Sequence, residues 1–360
     1  MIARAQTLAR AAELRAQFEA AGAVPVETPI LQPAATLLDL YGEEIRARAY
    51  VTSDALRGEQ MLRPDFTVPV VQMHMAEGAE PARYTYSGEV FRRQEHDEDR
   101  ANEYIQVGFE VFDRTDPARA DAEVFALMAG LTAPLNLRAT TGDIGILMAA
   151  VKGLRTTEPR KAALLRHIWR PRRFRALLDR YAGRVAMTPE RKLLLDGIAT
   201  PTDAPLIGKR SQREIDQRLQ TLREDAAAPP ISSEEVDMLD ALLSVRETMP
   251  FALERLRDIA VDLPSISRAV DLLAARAGAL SERDVDVEAL PFEASFGRTS
   301  MEYYDGFVFG FFSRERPDLP AIATGGRYDA LTRRLGRGVE IPAVGGVLRP
   351  GLMLELEARP

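Results

Sequence analysis

Two hydrogen-bond acceptors, Gln106 and Glu110, stand four residues apart in a segment whose side chains alternate with a period of two. Such alternation is typical of a β-strand, in which successive side chains point to opposite faces. One face is apolar and consists of Ile105, Val107, Phe109 and Val111. The other face consists of Tyr104, Gln106, Gly108 and Glu110. This polar face predicts the floor of a ligand pocket, and the alternative is the solvated side of a half-exposed sheet.

A second pair of polar residues, Asp65 and Thr67, lies in the segment Arg63-Pro-Asp-Phe-Thr67. This segment breaks a short strand and leads into a helix predicted over residues 68–75. Side-chain oxygens at such a position accept hydrogen bonds from the free N–H groups of the first helical turn. Capping of this helix is therefore the structural alternative to a role in binding for both residues.

The composition excludes several classes of chemistry. The 360 residues include no cysteine, which rules out disulfides, thiolate metal sites and a cysteine nucleophile, and fits a cytoplasmic protein. The three histidines are far apart in the chain, so a metal site is not expected. A net charge of −7 argues against general nucleic-acid binding. No apolar run reaches the ~20 residues of a membrane span, and the polar N-terminus is unlike a signal peptide.

One basic and aromatic cluster interrupts this acidic chain, with the sequence Arg166-His-Ile-Trp-Arg-Pro-Arg-Arg-Phe-Arg175. Its charges can hold an anion or a partner protein. The alternative is a solvated helix face, on which such charges are common.

A long antiparallel hairpin is predicted to position the acceptors. Its limbs are residues 84–92 and 102–112, both rich in β-forming residues, and the loop between them is too polar for burial. Amphipathic helices are predicted around the hairpin at residues 3–21, 118–131 and 144–154. Further strands are predicted at residues 135–141, 291–297 and 303–312. Glycine turns are predicted at residues 142–143 and 323–329.

Helical spacing replaces the strand patterns between residues 156 and 285, and strands resume afterwards. We therefore predict an α+β fold with an antiparallel sheet flanked by helices. Residues 1–155 and 286–360 are predicted to form one discontinuous core domain. Residues 156–285 are predicted to form an all-helical insertion.

Three segments together resemble the histidyl-tRNA synthetase branch of the class II aminoacyl-tRNA synthetases. Residues 24–31, with Pro29, are similar to the first class motif, which builds the dimer interface. The hairpin at residues 84–112 resembles the second motif. Thr324-Gly-Gly-Arg-Tyr-Asp-Ala-Leu331 resembles a motif peculiar to the histidyl branch. The likeness covers about residues 3–150 and 290–355, and it implies the class II synthetase fold.

In that family, bound histidine is held by residues that match positions of this chain one by one. The resemblance implies a histidine-binding site made of Asp65, Thr67, Gln106, Glu110, Tyr304 and Tyr328. Asp65 stands where the family has a glutamate. Carboxylate, amide and hydroxyl oxygens suit an α-ammonium group, and an imidazole N–H suits a carboxylate such as Glu110.

The chain departs from the family at the residues that activate the amino acid. Thr299 and Leu352 occupy positions where the synthetases carry arginines. Only Arg92 of the second motif remains, as a relic contact for a nucleotide or another anion. Loss of two cations is expected to cripple adenylation, because its transition state depends on positive charge. The chain also ends soon after the third motif, so an anticodon-binding domain is not expected, and neither is a catalytic residue, cofactor or metal ion.

These departures are similar to those of a non-catalytic family in this branch, the regulatory subunits of ATP phosphoribosyltransferase. The resemblance implies a short catalytic subunit as partner, histidine as feedback effector, and a homodimer within a larger hetero-oligomer, without tRNA or a membrane. Feedback would follow from different histidine affinities in the active and inhibited assemblies. One alternative is an amino-acid adenylating enzyme with a non-tRNA acceptor, which draws charge from Arg92 and from Arg298 or Arg349. Another is a stand-alone amino-acid sensor with a different partner.

Overall fold

The computed structural model describes residues 2–41, 45–94, 100–196, 208, 210–298 and 303–358. The strands in these ranges are β1 (Val24–Pro25), β2 (Leu31–Pro33), β3 (Val51–Asp54), β4 (Gly58–Leu62), β5 (Ala82–Phe91), β6 (Glu103–Phe112), β7 (Leu137–Asp143), β8 (Arg246–Thr248), β9 (Pro291–Glu293), β10 (Phe307–Ser313), β11 (Ala323–Arg327) and β12 (Ala343–Leu348). The α-helices are α1 (Arg4–Ala20), α2 (Ala34–Tyr41), α3 (Ile45–Arg48), α4 (Thr67–Glu77), α5 (Pro117–Thr132), α6 (Ile144–Gly153), α7 (Glu158–Arg166), α8 (Pro171–Tyr181), α9 (Pro189–Leu195), α10 (Gln212–Ala227), α11 (Ser233–Leu243), α12 (Met249–Asp262), α13 (Ser267–Ser281), α14 (Asp329–Leu335) and α15 (Pro350–Glu357). None of the helices so described is long and apolar enough to cross a membrane.

The predicted hairpin is confirmed as strands β5 and β6, which pair antiparallel along their whole length. Directly opposed residues in an antiparallel pair point to the same face of the sheet. On the face that carries the predicted acceptors, the opposed pairs are Tyr84 with Glu110, Tyr86 with Gly108, and Gly88 with Gln106.

Both faces of strand β6 are buried. The apolar face packs on helix α1, where the ring centroids of Phe18 and Phe109 are 5.4 Å apart. On the polar face, Gln106 is 0% and Glu110 is 1% exposed. The solvated-sheet alternative is therefore wrong, because other elements cover this side of the sheet as well.

Nine of the described strands form one mixed sheet in the order β1-β5-β6-β12-β11-β10-β7-β9-β8. The neighbours are antiparallel except for β1 with β5 and β7 with β9, which are parallel. The predicted α+β class is confirmed, and the antiparallel prediction is corrected at these two pairs. Parallel pairing needs a long connection, and many residues separate the partners in both cases. Strands β2, β4 and β3 form a separate small sheet.

The predicted glycine turn at residues 323–329 is wrong, because Gly325 and Gly326 lie inside strand β11. A Cβ atom at Gly325 would lie 2.3 Å from the carbonyl oxygen of Gly345 and 2.3 Å from the ring of Phe309. Glycine is thus required here by close packing within the sheet rather than by a turn.

Two strand boundaries also differ from the predictions. Gly142 and Asp143 do not form a turn, since they are the last two residues of β7. Strand β10 begins at Phe307, so Tyr303 and Tyr304 precede it instead of forming part of it. Their aromatic character suits a strand, but they contribute to the site described below.

The segment 156–285 contains helices α7 to α13 and also strand β8, which pairs with β9 at one edge of the main sheet. The expectation of an all-helical segment is therefore corrected. Three residues are too few for an alternating pattern to be visible in the sequence. The division of the chain into a discontinuous core and an insertion stays a prediction.

A buried ion network joins helix α13 of this segment to the rest of the fold. Arg276 donates hydrogen bonds to Asp121 of α5 at 2.7 Å and to Asp143 of β7 at 2.9 Å. Arg327 of β11 donates to Asp121 at 2.7 Å. All four side chains are buried. Each charge therefore depends on its partners, because an unpaired buried charge is strongly destabilising.

Replacing Arg276 with Met is expected to lower the free energy of unfolding by about 3–5 kcal/mol, because Asp143 loses its buried cation. Urea unfolding of the full chain measures the loss. The control is Arg175→Met, which breaks pairs with Asp179 and Asp240 at a side chain that is 44% exposed. An exposed pair contributes about 0–1 kcal/mol. Equal losses for the two variants would contradict a special role for the network.

Candidate functional site

The carboxylate of Glu110 is the centre of the candidate site. Its Oε1 accepts hydrogen bonds from Thr67 Oγ1 at 3.0 Å and from Tyr86 OH at 2.8 Å. Its Oε2 accepts one from Tyr328 OH at 2.6 Å. Three of the predicted site residues are therefore in direct contact. Burial raises the pKa of Glu110 to about 7, although the three hydroxyl donors act in the opposite direction.

Glycines allow the side chains of this site to lie flat on the sheet. Gly345 of β12 is opposite Glu110, and a Cβ atom there would lie 1.5 Å from Glu110 Oε2. Gly108 of β6 is opposite Tyr86, and a Cβ atom there would lie 2.1 Å from the tyrosine ring. The sheet thus presents bare backbone beneath the carboxylate and the ring, which only glycine permits.

Asp65 is buried at the start of helix α4. Its Oδ1 accepts the N–H of Val68 at 3.3 Å, so the predicted capping contact exists, and its Oδ2 accepts Tyr41 OH at 3.4 Å. The hydroxyl of Thr67 is directed at Glu110. Burial raises the pKa of Asp65, while the positive charge of Arg92 counteracts this increase. Asp65 therefore combines a structural contact with a position beside the other site residues.

The amide of Gln106 has no hydrogen-bond partner among the described residues, although the side chain is fully buried. An unpaired buried polar group costs about 1–3 kcal/mol, and such groups are uncommon in folded proteins. Gln106 lies four residues before Glu110 in β6, so both side chains are on the same face of the sheet. Its strand neighbour Gly88 has no side chain that could pair with the amide.

Tyr304 and Tyr328 come together with two further tyrosines. The ring centroid of Tyr303 is 4.9 Å from that of Tyr304, 6.1 Å from that of Tyr328 and 6.1 Å from that of Tyr41. A Cβ atom at Gly326 would lie 2.8 Å from the ring of Tyr304, so this ring covers strand β11. The structure thus brings all six predicted histidine-binding residues to the same side of the sheet.

Three tyrosines of the site were not predicted as site residues, namely Tyr41, Tyr86 and Tyr303. Tyr86 could have been predicted from the register of the hairpin, which places it opposite Gly108, two residues from Glu110. Tyr41 comes from helix α2, and no local pattern in the sequence connects that helix with the hairpin.

Three arginines near the site are partly engaged by main-chain carbonyl groups. The bonds run from Arg92 to Pro64, from Arg298 to Ile168 and from Arg349 to Ala321. Arg92 still affects the pKa of Asp65, so its positive charge lies beside the site. Leu352 lies in helix α15, and Thr299 is outside the described residues. In the part of the chain that the structure describes, no group of three His, Asp or Glu residues could hold a metal ion.

Comparison with known proteins first defines the class. A model of the histidyl-tRNA synthetase family matches residues 3–204 and 206–350. A histidyl-tRNA synthetase from Nostoc sp. PCC 7120 has a TM-score of 0.64 at 17% identity, covering 98% of this chain and 72% of its own. An ATP phosphoribosyltransferase regulatory subunit/histidyl-tRNA synthetase from Bacillus halodurans C has a TM-score of 0.67 at 20% identity, covering 98% and 79%. The fold is therefore that of the histidyl-tRNA synthetase-like class II proteins.

Two curated relatives identify the family within this class. The ATP phosphoribosyltransferase regulatory subunit of Agrobacterium fabrum is 34% identical in an alignment of 357 positions that covers 93% of each chain. The regulatory subunit of Brucella ovis is 31% identical in an alignment of 356 positions that covers 92% of this chain and 93% of its own. This chain belongs to the family of ATP phosphoribosyltransferase regulatory subunits. The predicted family is confirmed, and with it the prediction of a regulatory rather than a catalytic chain.

Replacing Glu110 with Gln is expected to reduce the pH dependence of stability. The folded-state pKa of about 7 exceeds the ordinary glutamate value of about 4.3. The folded protein therefore binds more protons than the unfolded chain between about pH 4.3 and pH 7, and stability falls as the pH rises through this window. In the wild type, Glu110 should lower the free energy of unfolding by about 3 kcal/mol as the pH rises through this window, and the variant should lack this decrease.

Urea unfolding at pH 5 and pH 8 measures this difference for the wild type and for Glu110→Gln. Asp305, whose pKa burial also raises to about 7, contributes equally to both proteins. Glu282→Gln, at a side chain that is 62% exposed, is the control and should behave like the wild type. If Glu110→Gln also follows the wild-type pH dependence, Glu110 is not the titrating group.

Replacing Gly345 with Ala is expected to displace the Glu110 carboxylate, because the new Cβ atom would overlap Oε2. Overpacking of this kind costs about 1–3 kcal/mol. Gly278→Ala in helix α13 is the matched control, since no atom lies within 4 Å of its added Cβ. Better helix propensity should make the control neutral or up to about 1 kcal/mol more stable. Thermal unfolding of both variants tests this contrast, which a stable Gly345→Ala protein would refute.

Proposed function

We propose that this chain binds histidine in the site around Glu110 and thereby regulates the catalytic subunit of ATP phosphoribosyltransferase. The observation that carries the proposal is the amide of Gln106. It is buried without a described partner, on the same face of the sheet as Glu110. A ligand with both donors and acceptors would satisfy this amide and recover the free energy that its isolation costs.

Histidine matches the groups along this surface. Its α-ammonium group suits the Asp65 carboxylate and the amide oxygen of Gln106. Its imidazole N–H suits Glu110, whose carboxylate has about four lone-pair positions and accepts three hydroxyl hydrogen bonds. The imidazole takes the remaining position or replaces one of the hydroxyls. Apolar amino acids would leave these buried groups unpaired, so the site discriminates against them.

Feedback requires only that histidine binds the inhibited assembly more tightly than the active assembly. Coupling free energies of this kind are typically about 1–3 kcal/mol, which changes affinity by about 5–150-fold. Because the coupling is reciprocal, association with the catalytic subunit changes histidine affinity by the same factor.

We propose a homodimer that forms through residues 24–31 and the neighbouring small sheet, within a larger hetero-oligomer that does not use tRNA. Exposed apolar side chains in these elements support this contact, and they include Val24, Leu31 and Val51. Short edge strands with exposed apolar residues are suited to burial against a second copy.

An amino-acid adenylating enzyme is the alternative function, and the family assignment argues against it. It would need cations around a transferring phosphoryl group. Leucine stands at position 352, and Arg298 and Arg349 each donate to a main-chain carbonyl group. Pyrophosphate exchange into ATP, measured with each amino acid in turn, tests this alternative. Exchange that depends on one amino acid would establish it.

The purified chain is expected to co-elute with a short catalytic subunit and to raise its rate of phosphoribosyl transfer, and histidine is expected to lower that rate. In calorimetry, Glu110→Ala should weaken histidine binding at least about tenfold, because it removes a charged hydrogen-bond acceptor. Glu282→Ala, at an exposed position, should bind like the wild type. Separate elution without a rate gain would refute the partnership. Unchanged histidine affinity in Glu110→Ala would refute the site.

A further inference from the structure

The basic cluster at residues 166–175 includes a turn that bonds to two residues before strand β10, namely Arg298 and Tyr304. The indole N–H of Trp169 donates to the main-chain oxygen of Tyr304 at 3.2 Å. The main-chain oxygen of the adjacent Ile168 accepts from Nε of Arg298 at 2.8 Å. This turn lies between helices α7 and α8, so it links the helical segment directly to the site.

The inner side of the basic cluster is packed rather than solvated. Ile168 and Phe174 are buried, and the guanidinium carbon of Arg298 lies 4.8 Å from the centroid of the Phe174 ring. Arg172 and Arg173 are exposed on the outer side. The solvated-face interpretation is therefore wrong for the turn that contains Trp169.

Tyr304 is the residue at which this linkage reaches the candidate site. Its ring covers Gly326 and packs on Tyr303, whose ring also packs on Tyr328. Its main-chain oxygen is the acceptor for Trp169. The ring and this carbonyl group belong to one residue, so a backbone shift of Tyr304 at the site moves the carbonyl group relative to the indole. Hydrogen bonds weaken steeply with distance and misalignment, so the environment of Trp169 depends on the position of Tyr304.

We propose that Trp169 is a positioning residue that fixes Tyr304 over the site and couples occupancy of the site to the turn between helices α7 and α8. The proposal rests on the proposed histidine site, and it assigns to this turn of the helical segment a direct response to the ligand. The bond between Arg298 and Ile168 holds the same turn from the other side, so the turn cannot follow Tyr304 freely.

The chain contains a single tryptophan, so its intrinsic tryptophan fluorescence reports this position alone. Titration of the full chain with histidine is expected to change the emission of Trp169 saturably, with the same midpoint as calorimetry on the same preparation. Calorimetric binding without a change in emission overturns the coupling and leaves the proposed function intact. Absence of calorimetric binding overturns both.

Trp169→Phe keeps an aromatic ring and removes the N–H donor. Loss of one hydrogen bond is expected to weaken histidine binding roughly two- to tenfold in calorimetry. Unchanged affinity in a folded variant overturns the positioning role.

A remote reporter separates local coupling from a global change. Phe251→Trp, in the Trp169→Phe background, places the only tryptophan on helix α12 at a side chain that is 63% exposed. Its emission should stay constant during the histidine titration. A response as large as that of Trp169 would show a change throughout the chain and overturn the local linkage.

Discussion

The site depends on one physical constraint, which is the burial of the Glu110 carboxylate away from water. Helix α4, strand β5 and the residue before helix α14 each supply one hydroxyl donor to it. Burial of a carboxylate is costly, and fixed donors offset part of that cost. One side chain therefore organises three distant parts of the sequence. The same setting makes the carboxylate a strong acceptor for a further donor, because the low local dielectric strengthens every hydrogen bond made to it.

Glycine is the second feature on which the site depends, because it leaves space above the sheet for the side chains of the site. Gly108, Gly326 and Gly345 lie beneath the rings or the carboxylate of the site in three adjoining strands. Glycine inside a strand is intrinsically unfavourable. In this sheet it allows Tyr86, Glu110 and Tyr304 to approach the backbone. A flat layer of polar side chains thus lies on a sheet surface that would otherwise carry apolar side chains.

Short sequence patterns predicted the elements whose residues are close together in the chain. The period of two in residues 102–112 predicted the hairpin and the shared face of Gln106 and Glu110. The pattern could not show whether that face was exposed to solvent, because the residues that cover it come from helix α4 and from the region around Tyr304. The pair Gly325 and Gly326 was misassigned to a turn, since glycine in a sequence indicates either a turn or a close approach of strands. The positions of Tyr41 and strand β8 depend on long-range packing that no short window of sequence contains.

The ion network around Arg276 sets a condition on any shortened form of this chain. A minimal sheet domain without residues 156–285 would keep Asp121 and Asp143 and lose the guanidinium group that bonds to both of them. Arg327 would remain for Asp121, whereas Asp143 would keep the N–H of Gly145 among the residues that the structure describes. If Asp143 stayed buried in such a domain, its unpaired charge would destabilise the fold by about 3–5 kcal/mol. The helical segment thus supplies the positive charge that balances a buried carboxylate of the sheet, although the two are far apart in the sequence.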